Sequence, residues 1–252
     1  GGSYKGLFDA VPRSLRVGPW KPWAPIFLTA LYAELFVSRP PLQLPVQLPS
    51  SVWWWWCDAA TFLWCSAICC LIFKRFPAPF LVSYTGWSWL LLTARAGCAA
   101  FAGSCTILGP IGETLRFPAA VGATITFVVW NFVLMPGIYF AFRSQPERQW
   151  GFLKFNCSFY MINIHILNLP LAIAGIAGGG ANGGARLFGP TDVWCGLLVM
   201  ALYATWYVLI LDRMGVHLYP IFSPRTHASL LAYLSLLGAY FGTWRAWNAY
   251  LL

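Results

Sequence analysis

Charge is what this sequence has least of: only 9% of its 252 residues are Asp, Glu, Lys or Arg. Ordinary soluble domains carry about 25%. A chain so poor in charge cannot solvate its own surface, which excludes a soluble globular domain. The acidic residues number seven and form no run, so the charged rings that line a wide ion channel are missing. The three histidines, His165, His217 and His227, include no His-x-x-x-His pair. None of the eight cysteines sits in a Cys-x-x-Cys pair. The pattern therefore gives no metal, haem or other cofactor site and no disulfide framework. A cysteine inside an apolar run packs as a small hydrophobe. The chain begins Gly-Gly-Ser, with neither an initiating Met nor a signal-peptide h-region; a removed leader or a short appended segment would account for that.

What is abundant is apolar surface. Hydrophobic residues make up 59% of the chain, and there are 15 Trp and 11 Tyr. Such amphipathic rings favour the headgroup boundary of a bilayer. A span needs about 20 apolar residues, and the sequence offers seven candidates: 20–37, 52–73, 80–107, 117–142, 155–177, 193–211 and 228–251. The predicted fold is all-α, a polytopic transmembrane bundle of seven spans, or six if one fails. Residues 1–19 read as a basic N-terminal segment and 20–252 as a single transmembrane domain. The third candidate carries Arg95 and is long enough to be one tilted helix or two half-helices. Pro40, Pro41, Pro45 and Pro49 stiffen the first outer loop, and the tract 178–184 reads as a flexible glycine-rich connection.

The net charge of +9 is spread between apolar runs, which favours solvated flanks over a nucleic-acid surface. With seven spans, Lys5, Arg13, Arg16, Lys21, Lys74, Arg75, Arg143, Arg148, Lys154, Arg213 and Arg225 share the N-terminal side. Only Arg39, Arg116 and Arg186 lie opposite. Eleven against three points the N-terminus to the cytoplasm, matrix or stroma.

Ionisable groups at membrane depth are costly and signal function: Glu34, Asp58, Arg95 and His165. Asp58 and Thr61 share a helical face. Counted from their span ends, Thr61 lies roughly 13 Å deep and His165 roughly 15 Å deep, both near the middle of a core about 30 Å thick. Thr61 as nucleophile, His165 as base and Asp58 orienting the ring would form an activated nucleophile. Set against this, Thr61 could bond back to its own helix, Asp58 could pair with Arg95, and His165 could tie helices together.

Three segments carry a resemblance. Ala60-Thr61-Phe62-Leu63, Asn163-Ile164-His165 with Pro170, and Gly215-Val216-His217-Leu218-Tyr219-Pro220 follow one another along the chain, and Phe117-Pro118 fits the same order. Over roughly 50–250 the chain resembles the androgen-induced family of multi-pass membrane proteins. Characterised animal members of that family hydrolyse fatty-acid esters of hydroxy fatty acids. The resemblance implies a nucleophilic Thr61 and a catalytic His165. The stretch between Thr61 and Phe117 is longer than the family's.

Two functions follow. One is a membrane threonine hydrolase of lipid esters, with Asn163 or Asn168 as oxyanion donor. The other is a non-catalytic accessory subunit of an organellar complex in the mitochondrial inner membrane, with lipids and other subunits as partners. The missing Met and the basic N-terminal segment favour the subunit, whose Trp-rich boundaries could bind lipids between subunits; it is the preferred expectation.

Overall fold

The computed structural model describes residues 18–41, 52–75, 77–177, 186–216 and 219–252. Most of the basic N-terminal segment, Pro45, Pro49, the glycine tract 178–184 and His217 lie outside the described residues.

Every regular element among the described residues is helical. The chain runs through α1 (Trp23–Val37), α2 (Val52–Arg75), α3 (Pro77–Val82), α4 (Tyr84–Ala100) and α5 (Leu108–Val129). It continues through α6 (Met135–Ala141), α7 (Pro146–Asn156), α8 (Phe159–Ile162), α9 (Asn168–Ala177), α10 (Pro190–Trp206) and α11 (Ala228–Leu251). Three π-helical segments join pairs of these or extend one: Trp130–Leu134, Asn163–Leu167 and Tyr207–Leu211. Helices are the natural product of this composition, because a backbone in lipid must satisfy its own N–H and C=O groups. Four continuous helices are long and apolar enough to cross a bilayer: Val52–Arg75, Leu108–Ala141, Phe159–Ile176 and Pro190–Leu211. The protein is thus an integral, multi-pass α-helical membrane protein, and its apolar helix surfaces meet membrane lipid.

The third sequence candidate is broken. Ser83 separates α3 from α4, and α4 ends at Ala100 rather than running on to Ile107. The fifth begins at Phe159, after α7 has ended at Asn156, and is widened around His165 by its π segment.

The chain packs as two compact units. The first comprises Gly1–Pro41 with Val193–Gly242, and the second Leu42–Asp192 with Thr243–Leu252. In the first, Trp23 and Ala24 of α1 pack with Ala204, Val208 and Tyr233. Buried Asp212 takes the Trp20 indole N–H at 2.8 Å and the Arg225 guanidinium at 2.8 Å. Gly215 supplies the positive φ (73°) that lets the chain turn after this helix. Tyr207 donates to the Tyr219 carbonyl at 2.7 Å and so ties the Tyr-Pro segment down.

The second unit is built around α4 and α5. Residues 116–123 of α5 are all buried, and the small side chains of Ala119, Ala120, Gly122 and Ala123 let neighbouring helices approach closely. Helix α2 runs antiparallel to α4: Trp89 Nε1 donates to the Cys65 carbonyl and Trp55 Nε1 to that of Ala100. Helix α5 is also antiparallel to α4, with Gly112 against Cys98 and Gly122 against Ser88. The helix 159–177 runs parallel to α4 in constant register. Thr85 meets His165, Ser88 meets Asn168, and Arg95 fills the space a side chain at Gly175 would need. From the connection between two of the spans, Arg186 grips Asp192 near the start of α10 through two bonds of 2.7 and 2.8 Å and Glu113 near the start of α5 at 3.0 Å. The Asp192 carboxylate holds the Arg186 guanidinium above its already high pKa.

Candidate functional site

His165 owes its setting to a fault in helical hydrogen bonding. It sits in the π segment Asn163–Leu167, five residues before Pro170. Proline has no N–H to give the carbonyl of His165 in the i+5 pattern. Asn131 supplies the missing donor instead, its Nδ2 reaching the His165 carbonyl at 3.1 Å and that of Phe127 at 2.8 Å. Asn131 itself lies in the π segment Trp130–Leu134, so two widened turns face each other. The neighbouring indole of Trp130 stacks on the imidazole with centroids 4.1 Å apart and planes 18° apart. The Trp130 ring is in turn pinned by a 3.0 Å bond from its N–H to Asn156. His165 is therefore buried and held by a stacked ring, not by a carboxylate.

The imidazole Nε2 lies 3.3 Å from Oγ1 of Thr85, with both residues buried. Thr85 is the second residue of α4, just after the break. Ser83 caps that helix: its Oγ accepts from Gly86 N at 3.0 Å and its carbonyl from Trp87 N at 3.1 Å. As the second residue of α4, Thr85 has no carbonyl of its own helix to take up its N–H. The turn is tight enough to need glycine at 86, where a Cβ would fall 1.8 Å from the Phe80 carbonyl oxygen.

The hydroxyl's direction separates this threonine from three others on α4 and α5. Thr93, Thr114 and Thr124 each donate to the carbonyl four residues back, at 2.8, 2.9 and 2.8 Å. That is the usual way a helical threonine satisfies itself in an apolar setting. Thr85 turns to the imidazole instead. With Nε2 as acceptor, the ring's proton resides on Nδ1 and Nε2 is free to take the hydroxyl proton.

Of the residues the sequence singles out, His165 stands at this centre. Thr61 is buried on α2, but among the described residues no hydrogen bond joins it to His165. The reason is register. Cys65 is level with Trp89 and Asp58 with Arg95, so Thr61 falls between those rungs, while Thr85 lies a turn beyond Trp89 on the other side. The two threonines are about two turns, or roughly 11 Å, apart along the bundle. Depth counted from the ends of apolar runs misses this offset. Asp58 does not orient the imidazole; it pairs with Arg95 in a buried ion pair. Of the two asparagines considered as oxyanion donors, Asn163 accepts from the Trp64 indole at 2.8 Å and Asn168 donates to Ser88 at 3.2 Å.

Thr85 escapes sequence reading because its place depends on where the span breaks. The signal that could have found it is Ser83 three residues before Gly86, an N-cap inside an apolar run. Among the described residues no group of His, Cys, Asp and Glu has the makings of a metal site.

The expectation of a non-catalytic accessory subunit is corrected by the Thr85–His165 contact. A buried hydroxyl set against an imidazole nitrogen resembles a nucleophile and its base, which favours the hydrolase of the two expectations. Comparison of the chain with family models, with curated proteins and with solved structures finds no match in any of the three.

Proposed function

We propose that this protein is an intramembrane threonine hydrolase acting on esters of fatty acids, a member of the androgen-induced family that it resembles. The observation that carries this reading is the buried hydroxyl–imidazole contact between Thr85 and His165. A site inside the apolar region suits a substrate whose acyl chain is already in the membrane.

The chemistry follows from the geometry. Thr85 Oγ1 attacks the ester carbonyl while His165 Nε2 takes its proton. The tetrahedral intermediate collapses, the C–O bond to the alcohol breaks, and the imidazolium returns the proton to the leaving alkoxide. A water then gives its proton to His165, attacks the Thr85 acyl ester and releases the fatty acid, and the proton returns to Thr85. One water is consumed for each ester cleaved. The N–H of Thr85, at the start of α4, is suited to receive the oxyanion, as a nucleophile's own amide often does.

The same reading takes the chain as crossing the bilayer seven times. Helix α1, the pair α3–α4 and α11 join the four long apolar helices in that count. The bias of eleven basic residues to three supports an N-terminus on the matrix or cytoplasmic side. The mitochondrial inner membrane is the location we propose, on the strength of the basic segment at 1–19; a fluorescent fusion imaged beside an organelle marker checks it.

The test is hydrolysis of a fatty-acid ester of a hydroxy fatty acid by the full chain in lipid nanodiscs. A fluorophosphonate marks the nucleophile, located by peptide mass spectrometry. Thr85→Ala and His165→Ala are expected to lower kcat by a factor of about 10² or more, with the label on Thr85. Full activity in Thr85→Ala would sink the assignment. A label on Thr61 instead would give the nucleophile's role to the threonine that the resemblance singles out.

A further inference from the structure

The Thr85 amide alone is a sparse oxyanion hole, and one turn along the same helix a second donor is waiting. Ser88 is three residues after Thr85, so the two share a face. Helical side chains lean toward the N-terminus, which tilts the Ser88 hydroxyl back into the turn that Thr85 begins. Ser88 is buried, and its side-chain hydrogen bond is accepted, not donated: Asn168 Nδ2 donates to its Oγ at 3.2 Å. The serine's own O–H hydrogen has no acceptor among the described residues.

The surroundings keep that hydrogen available. Gly122 of α5 backs directly onto Ser88, where an added Cβ would lie 3.0 Å from its Oγ. No larger residue fits there without pushing the hydroxyl aside. Asn168 is fully buried, and its Oδ1 has no hydrogen-bond partner. One turn along α5 from Gly122, Thr126 is also buried, with its hydroxyl unpartnered. Buried polar atoms left without partners are rare and costly. Here two of them sit within a turn of the Thr85–His165 contact, at the level where a polar ester group would have to lie.

We propose that Ser88, oriented by Asn168, is the side-chain oxyanion donor of this centre, acting with the Thr85 amide on the carbonyl oxygen of the bound ester. The assignment rests on the hydrolase reading above. Asn168 occupies the serine's lone pair, which leaves its hydrogen to point at the oxyanion. Ser88 thus touches the reacting atoms, and Asn168 is a positioning residue. The substrate such a site takes is a neutral ester whose carbonyl arrives beside the start of α4.

The test uses the full chain in nanodiscs, with the ester assay and the rate of fluorophosphonate labelling read together. Ser88→Ala is expected to lower kcat about 10²-fold with KM within about twofold, because the lost bond forms only in the transition state. Labelling should slow in parallel, since phosphonylation develops charge at the same oxygen. Asn168→Ala should cost less, about tenfold, and should add nothing further in the Ser88→Ala background. Thermal unfolding of each variant separates this from loss of fold: an intact melt with a lowered kcat supports the assignment. If Thr85→Ala is inactive but Ser88→Ala turns over within threefold of the parent, the oxyanion assignment falls while the hydrolase stands. If Asn168→Ala slows the Ser88→Ala protein tenfold again, the positioning role falls. If Thr85→Ala retains full activity, both readings fall together.

Discussion

At the residue scale, the second unit contains two pairings of very different character. Thr85 and His165 form a hydroxyl–imidazole contact. Asp58 and Arg95 form an ion pair with side chains only 10% and 5% exposed, a pairing whose two halves stand or fall together. Removing one partner of a buried pair costs about 3–5 kcal/mol, because the other is left charged in an apolar medium. Replacing both with apolar residues of similar size is often close to neutral. Arg95→Leu is therefore expected to lower the thermal unfolding midpoint sharply in detergent, and Asp58→Leu/Arg95→Leu to recover most of the loss. Equal destabilisation by the single and double variants would contradict a pairing role. His165 and this pair were both within reach of the sequence, because an ionisable group in an apolar run attracts attention without any knowledge of neighbours. Thr85 was not, because a threonine is unremarkable until its helix position is known.

At the element scale, the decisive event is the break between α3 and α4. Hydropathy sees one apolar stretch from Phe80 onward and cannot see that Ser83 caps a new helix. The cap matters because it places Thr85 at a helix start, where the amide has no carbonyl of its own helix and the hydroxyl is free of a preceding turn. Gly86 makes the break possible, and its obstruction is backbone, which cannot swing away as a side chain can. Gly86→Ala is expected to cut ester turnover at least tenfold by shifting Thr85 from His165. Gly137→Ala on α6, where a Cβ meets nothing within 4 Å, should leave turnover unchanged. Turnover of Gly86→Ala equal to that of Gly137→Ala would argue against the strained junction. The π segments were equally hidden: Pro170 predicts a disturbance, but only the facing Asn131 decides how it is resolved.

At the scale of the whole molecule, the all-α, multi-pass character was fully legible, since it follows from length, composition and the bilayer's thickness. The number of crossings is where sequence and structure give different depth of detail. Four helices satisfy length and hydropathy alone; the rest are shorter, broken or more polar. Two natural cysteines offer a direct check on the seven-crossing path. Cys105, between α4 and α5, and Cys157, between α7 and α8, are both exposed. In sealed vesicles of uniform orientation, a membrane-impermeant maleimide should reach one from outside and the other only after permeabilisation. Labelling of both from the same side would require a different path.

The parallel register of α4 and the helix 159–177 has a consequence for how this protein can vary in length. Their rungs, 85 with 165, 88 with 168 and 95 with 175, hold only while both helices keep the same phase. One residue inserted between Ser88 and Arg95 would rotate everything beyond it by about 100°. That would turn Arg95 away from both Asp58 and Gly175. The stretch 85–95 is therefore locked in length both to 165–175 and to the facing part of α2, and an insertion in it would need matching insertions in both to keep Arg95 against Asp58 and Gly175.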